Sequence, residues 1–541
     1  MVREKNRSIA VLLTIVLTVV LAVSPALAVA KPDMGKPQNE QVKLQLLAIN
    51  DFHGALLPNA SGGVTYGGAG VLGAYLDYLE ADAAGAVTMR LGVGDLIGAS
   101  PPLSGLLQDE PTLKVLNMLK FDYSAVGNHE FDEGIDELLR LQYGGYHPVT
   151  GEWGGSKMQY LAANVVWEDS GEPVLPPYAI KTIRGIPVGF IGAVYEETPS
   201  IVTASGVAGL EFLDEAESIN KYVEVLKDKG VEAIIVLLHN GGSGVETGGP
   251  VSGDVVSVVE AIDDEVDVVL NGHTHNRYWG MIDGKLVTSA WYNGRAIADV
   301  DLVLDRKSGD VVEKTASIVR TAHVEWLVPH AQAANAARYV AKIEAYVAPI
   351  VDRVIGTAAT DITRTQNTAG ESALGSFIAD SQRWKMGTDV AFMNPGGIRA
   401  DLLAGEVTWG ELFTIQPFAN YLVTMDLTGA QIEALLEQQW NTTSILQISG
   451  ITYSWDPAAP VGSRVDPANI MIGGAPLNLA ATYSVTVNNF LSDGGDGFTI
   501  LRDGTNKVYG PIDLDALVDY VMQLPQPFSA AIDGRITQIL P

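Results

Sequence analysis

The chain holds eight histidines, and five of them, His53, His129, His239, His273 and His275, sit in short polar turns beside acids or amides. Asp51-Phe52-His53 sets a carboxylate and an imidazole two residues apart, and His273-Thr274-His275 repeats that spacing. Where extended geometry persists, residues i and i+2 share one side of a strand. Asp95 closes Gly92-Val93-Gly94-Asp95, whose small neighbours let an ion approach closely. Asn128-His129-Glu130 follows Ala125-Val126-Gly127, and His239-Asn240 closes another apolar run. A lone histidine reads most simply as a core residue bonded to a carbonyl. Five with acids beside them read as a site for metal and acid–base chemistry. This mixed oxygen and nitrogen set suits Zn²⁺, Mn²⁺ or Fe²⁺ and is unlike a pure calcium cage.

Such residues need strand ends to carry them. From Val42 to about Thr321, β-branched runs alternate with helical patterns, as an α/β domain requires. Leu44–Ile49, Met89–Val93, Ala233–Leu238 and Val266–Leu270 are strand candidates, each followed at once by a polar or glycine-rich turn. Ligand sites of α/β sheets lie off such carboxyl ends. His330 to Val354 is alanine-rich, with Ala336, Tyr339, Val340, Ile343, Val347 and Ile350 at helical spacing, and Pro349 is expected to end or kink it. From Ile355 a second α/β pattern runs to the end. The expected division is a leader over 1–30, a polar stretch over 31–41, a first domain over 42–329, a linker helix over 330–354 and a second domain over 355–541.

Composition narrows the partners. At 541 residues the length suits two to four domains of roughly 150 residues. With 34 basic and 64 acidic side chains the net charge is −30, so duplex nucleic acid is not an expected partner. Cysteine is absent, which excludes disulfides, thiolate metal sites and a thiol nucleophile. Arg3, Lys5 and Arg7, the apolar run Ile9 to Val23 and the small residues around Ala26-Leu27-Ala28 and Ala28-Val29-Ala30 form a signal-peptide pattern cut near Ala28 or Ala30. A secreted, periplasmic or cell-surface protein without a lasting membrane anchor is expected, as monomer or homodimer.

Asp51-x-His53, Gly94-Asp95, Gly127-Asn128-His129-Glu130-x-Asp132, His239 and Gly272-His273-Thr274-His275, in this order, resemble the signature of calcineurin-like dinuclear metallophosphatases. The second domain resembles the 5′-nucleotidase C-terminal domain, so the chain is similar to secreted bacterial 5′-nucleotidases over roughly residues 43–535. The resemblance implies an α/β fold: a four-layer α/β/β/α sandwich, a linker helix and a separate α/β substrate-binding domain. It implies two divalent ions, one held by Asp51, His53, Asp95 and His275 and the other by Asp95, Asn128, His239 and His273, with Asp95 shared.

His129 is not needed as a ligand and lies beside one, so it is expected to act as general acid or transition-state stabiliser, oriented by Asp132. Asp132 also reads as a cap or first-turn acid of a helix through Ile135. In the second domain, Asn394, Gly397 and Arg399 resemble a phosphate-contacting loop. Phe418 and Phe490 resemble an aromatic clamp for a base, and Asp496 a ribose acceptor; Arg364 is a further candidate phosphate contact. Stacking of this kind tolerates base identity.

The expected activity is release of phosphate from nucleoside 5′-monophosphates, or also di- and triphosphates, by a metal-activated hydroxide. A 2′,3′-cyclic nucleotide phosphodiesterase with 3′-nucleotidase activity, or a UDP-sugar or NAD hydrolase, fits the same blocks. A sulfate-releasing thiol esterase and a non-catalytic nucleotide-binding protein are more distant readings. Chemistry and base binding on different domains make the linker helix a hinge candidate. The stretch Leu141 to Lys157 reads as a loop at the mouth of the site.

Overall fold

Side chains of the strand Gln41–Ile49 sort to two sides. Leu44, Leu46 and Ala48 enter a core between two sheets, while Leu47 and Ile49 enter a core beneath helices. This is a computed structural model, and it describes residues 40–539 apart from Trp326 and Thr443. The signal-peptide reading and all but the end of the polar leader lie outside the described residues.

The first sheet has the order Val311–Arg320, Ala296–Asp305, Gln41–Ile49, Val87–Val93, Tyr123–Ala125, Gln159–Leu161. The second runs Tyr178–Ile183, Ile186–Val194, Ala233–His239, Val266–Asn271, Lys285–Ala290, Arg277–Ile282. Leu91 and Val93 meet Ile235 and Leu237 between the sheets. Helix Ala69–Asp82 covers the outer face of the first sheet, and helix Glu215–Lys227 that of the second. The four-layer α/β/β/α arrangement is as expected.

Gln41–Ile49, Val87–Val93 and Tyr123–Ala125 are parallel neighbours in the first sheet, as are Ala233–His239 and Val266–Asn271 in the second. Their carboxyl ends therefore emerge together. Asp51, Asp95, Asn128, His239, His273 and His275 all stand at these ends.

The linker helix spans Ala331–Val351, ending before the expected Val354, which instead opens the strand Val354–Ala358. Pro349 lies in its last turn, where few further helical bonds remain to be lost. Ala333, Ala336, Val340 and Val347 are buried, but Ile350 is exposed, so the apolar stripe is narrower than its spacing predicts. A Cβ added at Gly73 would lie 2.9 Å from the Ala333 Cβ, and one at Gly70 3.0 Å from the Ala337 Cβ. The helix is thus seated closely on Ala69–Asp82 and joins the core of the first domain.

The separate C-terminal domain has a mixed five-stranded sheet ordered Gln447–Ser449, Val390–Met393, Thr482–Asn488, Tyr421–Thr428, Thr505–Ile512. Helices Ala373–Met386, capped by the Ser372 hydroxyl, and Asp513–Gln523 cover one face; Gly429–Thr442 covers the other. Asn394, Phe418 and Phe490 stand at one edge, where Val390–Met393 and Thr482–Asn488 end and Tyr421–Thr428 begins. Residues 141–157 form a small ribbon, Gly145–His147 paired with Gly151–Trp153, pinned by the Trp153 indole donating to Leu141 O at 2.8 Å. None of them lines the cavity described next.

Candidate active site

Convergence of the strand ends demands unusual backbone. Asp51, His53, Asp95, His273 and His275 have φ between 46° and 74°, the left-handed region that side chains with a Cβ seldom adopt. Strain of this kind clusters where geometry serves function. It turns the side chains inward as each strand ends. Glycines make room: a Cβ at Gly127 would lie 2.2 Å from Asp95 Oδ1, and one at Gly94 2.4 Å from His239 Nδ1.

Three overlapping groups have ligand atoms within 4.8 Å of one another: Asp51, His53 and His275; His53, Asp95 and His129; Asp95, His239 and His273. His53 Nε2 lies 3.1 Å from His275 Nε2 and 3.9 Å from Asp95 Oδ2, and His275 Nε2 lies 3.4 Å from Asp51 Oδ1. Asn128 Oδ1 lies 3.0 Å from His273 Nδ1. The outer nitrogens of two imidazoles are tied down, His53 Nδ1 to Gly98 O at 3.0 Å and His239 Nδ1 to Val93 O at 2.7 Å. A carbonyl holding one ring nitrogen so that the other points inward is the usual support of a metal-ligating histidine.

His239 supplies the test of fit. Its Nε2 is fully buried, makes no hydrogen bond among the described residues, and faces Asp95 Oδ2 at 3.1 Å. Burial disfavours the charged imidazole, but Asp95, with Asp51 and the Val93 carbonyl, outweighs this and pushes its pKa up to about 10. The cluster therefore strongly favours positive charge at this point. The donor set fits divalent cations.

Glu130 holds the frame. It is buried, and its Oε2 accepts the N–H groups of Asp95 at 2.8 Å and Gly127 at 2.5 Å. Oε1 accepts from Leu96 N at 2.9 Å, Ile97 N at 3.4 Å and the Tyr160 hydroxyl at 3.2 Å. The loops carrying Asp95 and Asn128 are thus clamped by one side chain.

His129 donates its backbone N–H to Asp95 Oδ1 at 2.9 Å, and its Nδ1 pairs with Asp132 Oδ2 at 2.8 Å. Burial lowers the His129 pKa, but Asp132 and Asp95 together raise it above its ordinary value. The following helix Ile135–Tyr143 is capped at Gly134, so Asp132 serves His129 and is not the cap.

A cavity of about 320 Å³ joins this cluster to the second domain. Asp95, Asn128, His129, Asp132, His273 and His275 line it from one side. Asn394, Gly397, Arg399, Phe418, Phe490 and Asp496 line it from the other. Phe418 stacks on His129 with ring centroids 5.8 Å apart, and the Arg399 guanidinium lies 5.8 Å from the Phe418 ring centre. Asn394 donates to Asp496 Oδ2 at 3.1 Å and accepts from Asn488 at 3.0 Å. Burial pushes the Asp496 carboxyl up to about 6.

Arg364 lies apart from this cavity. Its guanidinium donates to Ile398 O at 2.7 Å, and the residue lines a neighbouring depression with Pro395 and Ser444. Residues that sequence reasoning left unassigned also meet here. Ile201, Val202 and Thr203 line the cavity from the first domain, and Asn420 from the second. Asn420 lies two residues beyond Phe418, a usable signal, whereas 201–203 carry none. Tyr195 packs on His273 and Tyr292 stacks on His275, with ring centroids 5.2 and 4.7 Å apart.

The calcineurin-like phosphoesterase family matches residues 44–277, and the 5′-nucleotidase C-terminal domain matches residues 354–503. Cell wall protein Lmo0130 of Listeria monocytogenes is 35% identical over 89% of this chain and 67% of its own length. The chain belongs to the calcineurin-like phosphoesterases that carry a 5′-nucleotidase C-terminal domain. Endonuclease YhcR of Bacillus subtilis is 38% identical over 92% of this phosphoesterase, which spans only 41% of that relative's length. The crystal structure of a 5′-nucleotidase precursor from Thermus thermophilus superposes with a TM-score of 0.78 at 29% identity, covering 92% of this chain and 99% of that one. With its metal-ligand cluster, the chain is a metal-dependent phosphoesterase of this family. Among the described residues no helix is long and apolar enough to cross a membrane.

Proposed function

We propose that the chain is an exported hydrolase releasing phosphate from nucleoside 5′-monophosphates. The observation that carries this reading is the single cavity in which the metal-ligand cluster, His129 and the loop of Asn394 and Arg399 face Phe418, Phe490 and Asp496. Asp51, His53, Asp95 and His275 would hold one divalent ion, and Asp95, Asn128, His239 and His273 a second. When bound, such a pair lowers the pKa of a water and neutralises phosphoryl charge.

The protein's own groups do the rest. Arg399, with its guanidinium at the domain junction, receives phosphate oxygens in a fork. Asp132 holds His129 Nδ1, leaving Nε2 to deliver a proton to the departing 5′-oxygen. Phe418 and Phe490 flank the base, and Asp496 accepts from the ribose hydroxyls. The basic, then apolar, then small-residue pattern of 1–30 supports export, as does the cell-wall relative's printed name.

The test is His129→Ala with turnover and metal content measured together, on AMP, 3′-AMP, cyclic 2′,3′-AMP, UDP-glucose and NAD with Zn²⁺ and Mn²⁺ in turn. A fall of roughly 10²- to 10⁴-fold on AMP with metals retained is expected, the usual range for loss of a general acid. Unchanged turnover would refute the assignment of His129, and preference for the cyclic or pyrophosphate substrate would replace the monoesterase reading.

A further inference from the structure

His275 lines two cavities. One is the cavity shared with the second domain; the other, of about 370 Å³, lies beside the loop Gly244–Thr247 and is walled by Asn276, Arg277 and Trp291. Hydrolysis of a monophosphate uses nothing in this groove except His275.

Arg277, two residues beyond that ligand, is built into the wall. Its guanidinium carbon lies 4.2 Å from the Trp291 ring centre, and its Nε donates to Glu246 Oε2 at 2.6 Å. Both Nη groups are without a hydrogen-bond partner among the described residues, and the side chain is 32% exposed. Glu246 also binds Arg320, through that residue's Nε at 3.0 Å and its Nη2. Two guanidiniums therefore face one carboxylate, leaving a local positive charge in a chain of net charge −30. Trp291 is itself held in place, with φ 79° and Tyr66 edge-on to its ring at 5.5 Å.

We propose that this groove is an anion subsite for a second phosphate covalently joined to the phosphate at the metal cluster, with Arg277 as its anchor. The proposal rests on the reading that the cluster binds a phosphate. A guanidinium with two open N–H edges takes phosphate oxygens in a fork. Stacked on Trp291 and tethered by Glu246, it surrenders little rotamer freedom on binding. A pyrophosphate bridge places an anionic phosphorus group directly beside the first, and a phosphodiester to a second nucleotide places one a sugar away, so either linkage supplies the ligand.

The test measures inhibition of AMP hydrolysis by orthophosphate, NAD and a 5′-phosphorylated dinucleotide, together with calorimetric binding of orthophosphate, with metal content checked after each titration. Wild type, Arg277→Gln and Glu246→Gln are compared. Arg277→Gln is expected to weaken NAD or the dinucleotide about tenfold relative to orthophosphate, and Glu246→Gln, whose amide oxygen still accepts from Arg277 Nε while the opposing charge is gone, to strengthen the same ligand. The ligand that responds identifies the linkage. If neither ratio moves in Arg277→Gln, or Glu246→Gln weakens both, the subsite is overturned. If orthophosphate fails to bind wild type, the underlying phosphate reading falls and the subsite falls with it.

Discussion

Replacing Glu130 by Gln tests whether the two ligand loops are held by one carboxylate. The change keeps shape and volume but leaves one oxygen and one NH₂ where there were two acceptors. Placed against Asp95 N and Gly127 N, the NH₂ opposes two buried donors at 2.8 and 2.5 Å. Placed the other way, it opposes Leu96 N, Ile97 N and, as a third group, the Tyr160 hydroxyl. Neither orientation escapes. At ~1–3 kcal/mol per unsatisfied buried group, two such groups cost ~2–6 kcal/mol.

Asp95 and Asn128 ride on the loosened loops, so part of this cost falls on metal binding. The lower end, ~2 kcal/mol, is equivalent to ~30-fold in affinity, within the roughly 10–100-fold typical of supporting groups around a metal. The assay is metal retention against a graded chelator, read by elemental analysis, alongside thermal unfolding with and without metal. Tyr160→Phe is the control: it removes only the 3.2 Å hydroxyl donor and should cost under about 1 kcal/mol. Wild-type chelator midpoint and unfolding temperature in Glu130→Gln would show that the loops hold themselves, and the clamp argument would be wrong.

Two further outcomes follow from the same geometry. Burial places the Asp496 carboxyl at about 6, and only the ionised form offers both oxygens as charged acceptors to a ribose. KM for AMP should therefore rise as pH falls, by at most about tenfold one unit below that value, while p-nitrophenyl phosphate, which has no ribose, should not follow; Asp496→Asn should flatten the AMP profile, and parallel profiles for both substrates would contradict the role. Gly127→Ala would put a methyl 2.2 Å from Asp95 Oδ1 and should abolish metal retention, whereas Gly151→Ala, at positive φ and with open space around it, should cost ~1 kcal/mol of stability and leave metals in place. Equal metal content in the two variants would break the link between the close approach and the site.

What was legible in the sequence is what the chain encodes locally. Asp51, Asp95, His239 and His273 each end an apolar strand, and parallel sheets bring such ends to one edge, so residue type and position together mark the cluster. The second domain's Asn394, Phe418 and Phe490 were readable through the resemblance of their loops to the 5′-nucleotidase C-terminal domain. Arg364 shows the limit, because residue type and a loose likeness in spacing do not set where a guanidinium turns, and here Ile398 O takes it. Residues 201–203 carry no chemistry to notice, and they line the cavity only because the segment after Ile186–Val194 crosses toward Gly495–Gly497. Glu130 stands in the Asn128-His129-Glu130 block without a role of its own that the sequence reveals. Its five donors come from residues 95 to 160, and no local pattern records that they converge.

The hinge reading meets a physical constraint of the same non-local kind. A helix whose Ala333 and Ala337 press against Gly73 and Gly70 cannot bend or swing without separating that seam. Its buried side chains belong to the first domain's core. Its last turn also meets the second domain, where a Cβ at Gly410 would lie 2.4 Å from Val351 Cγ1 and Arg353 O accepts from Trp409 N at 2.9 Å, so a rotation of the second domain would have to part this contact too.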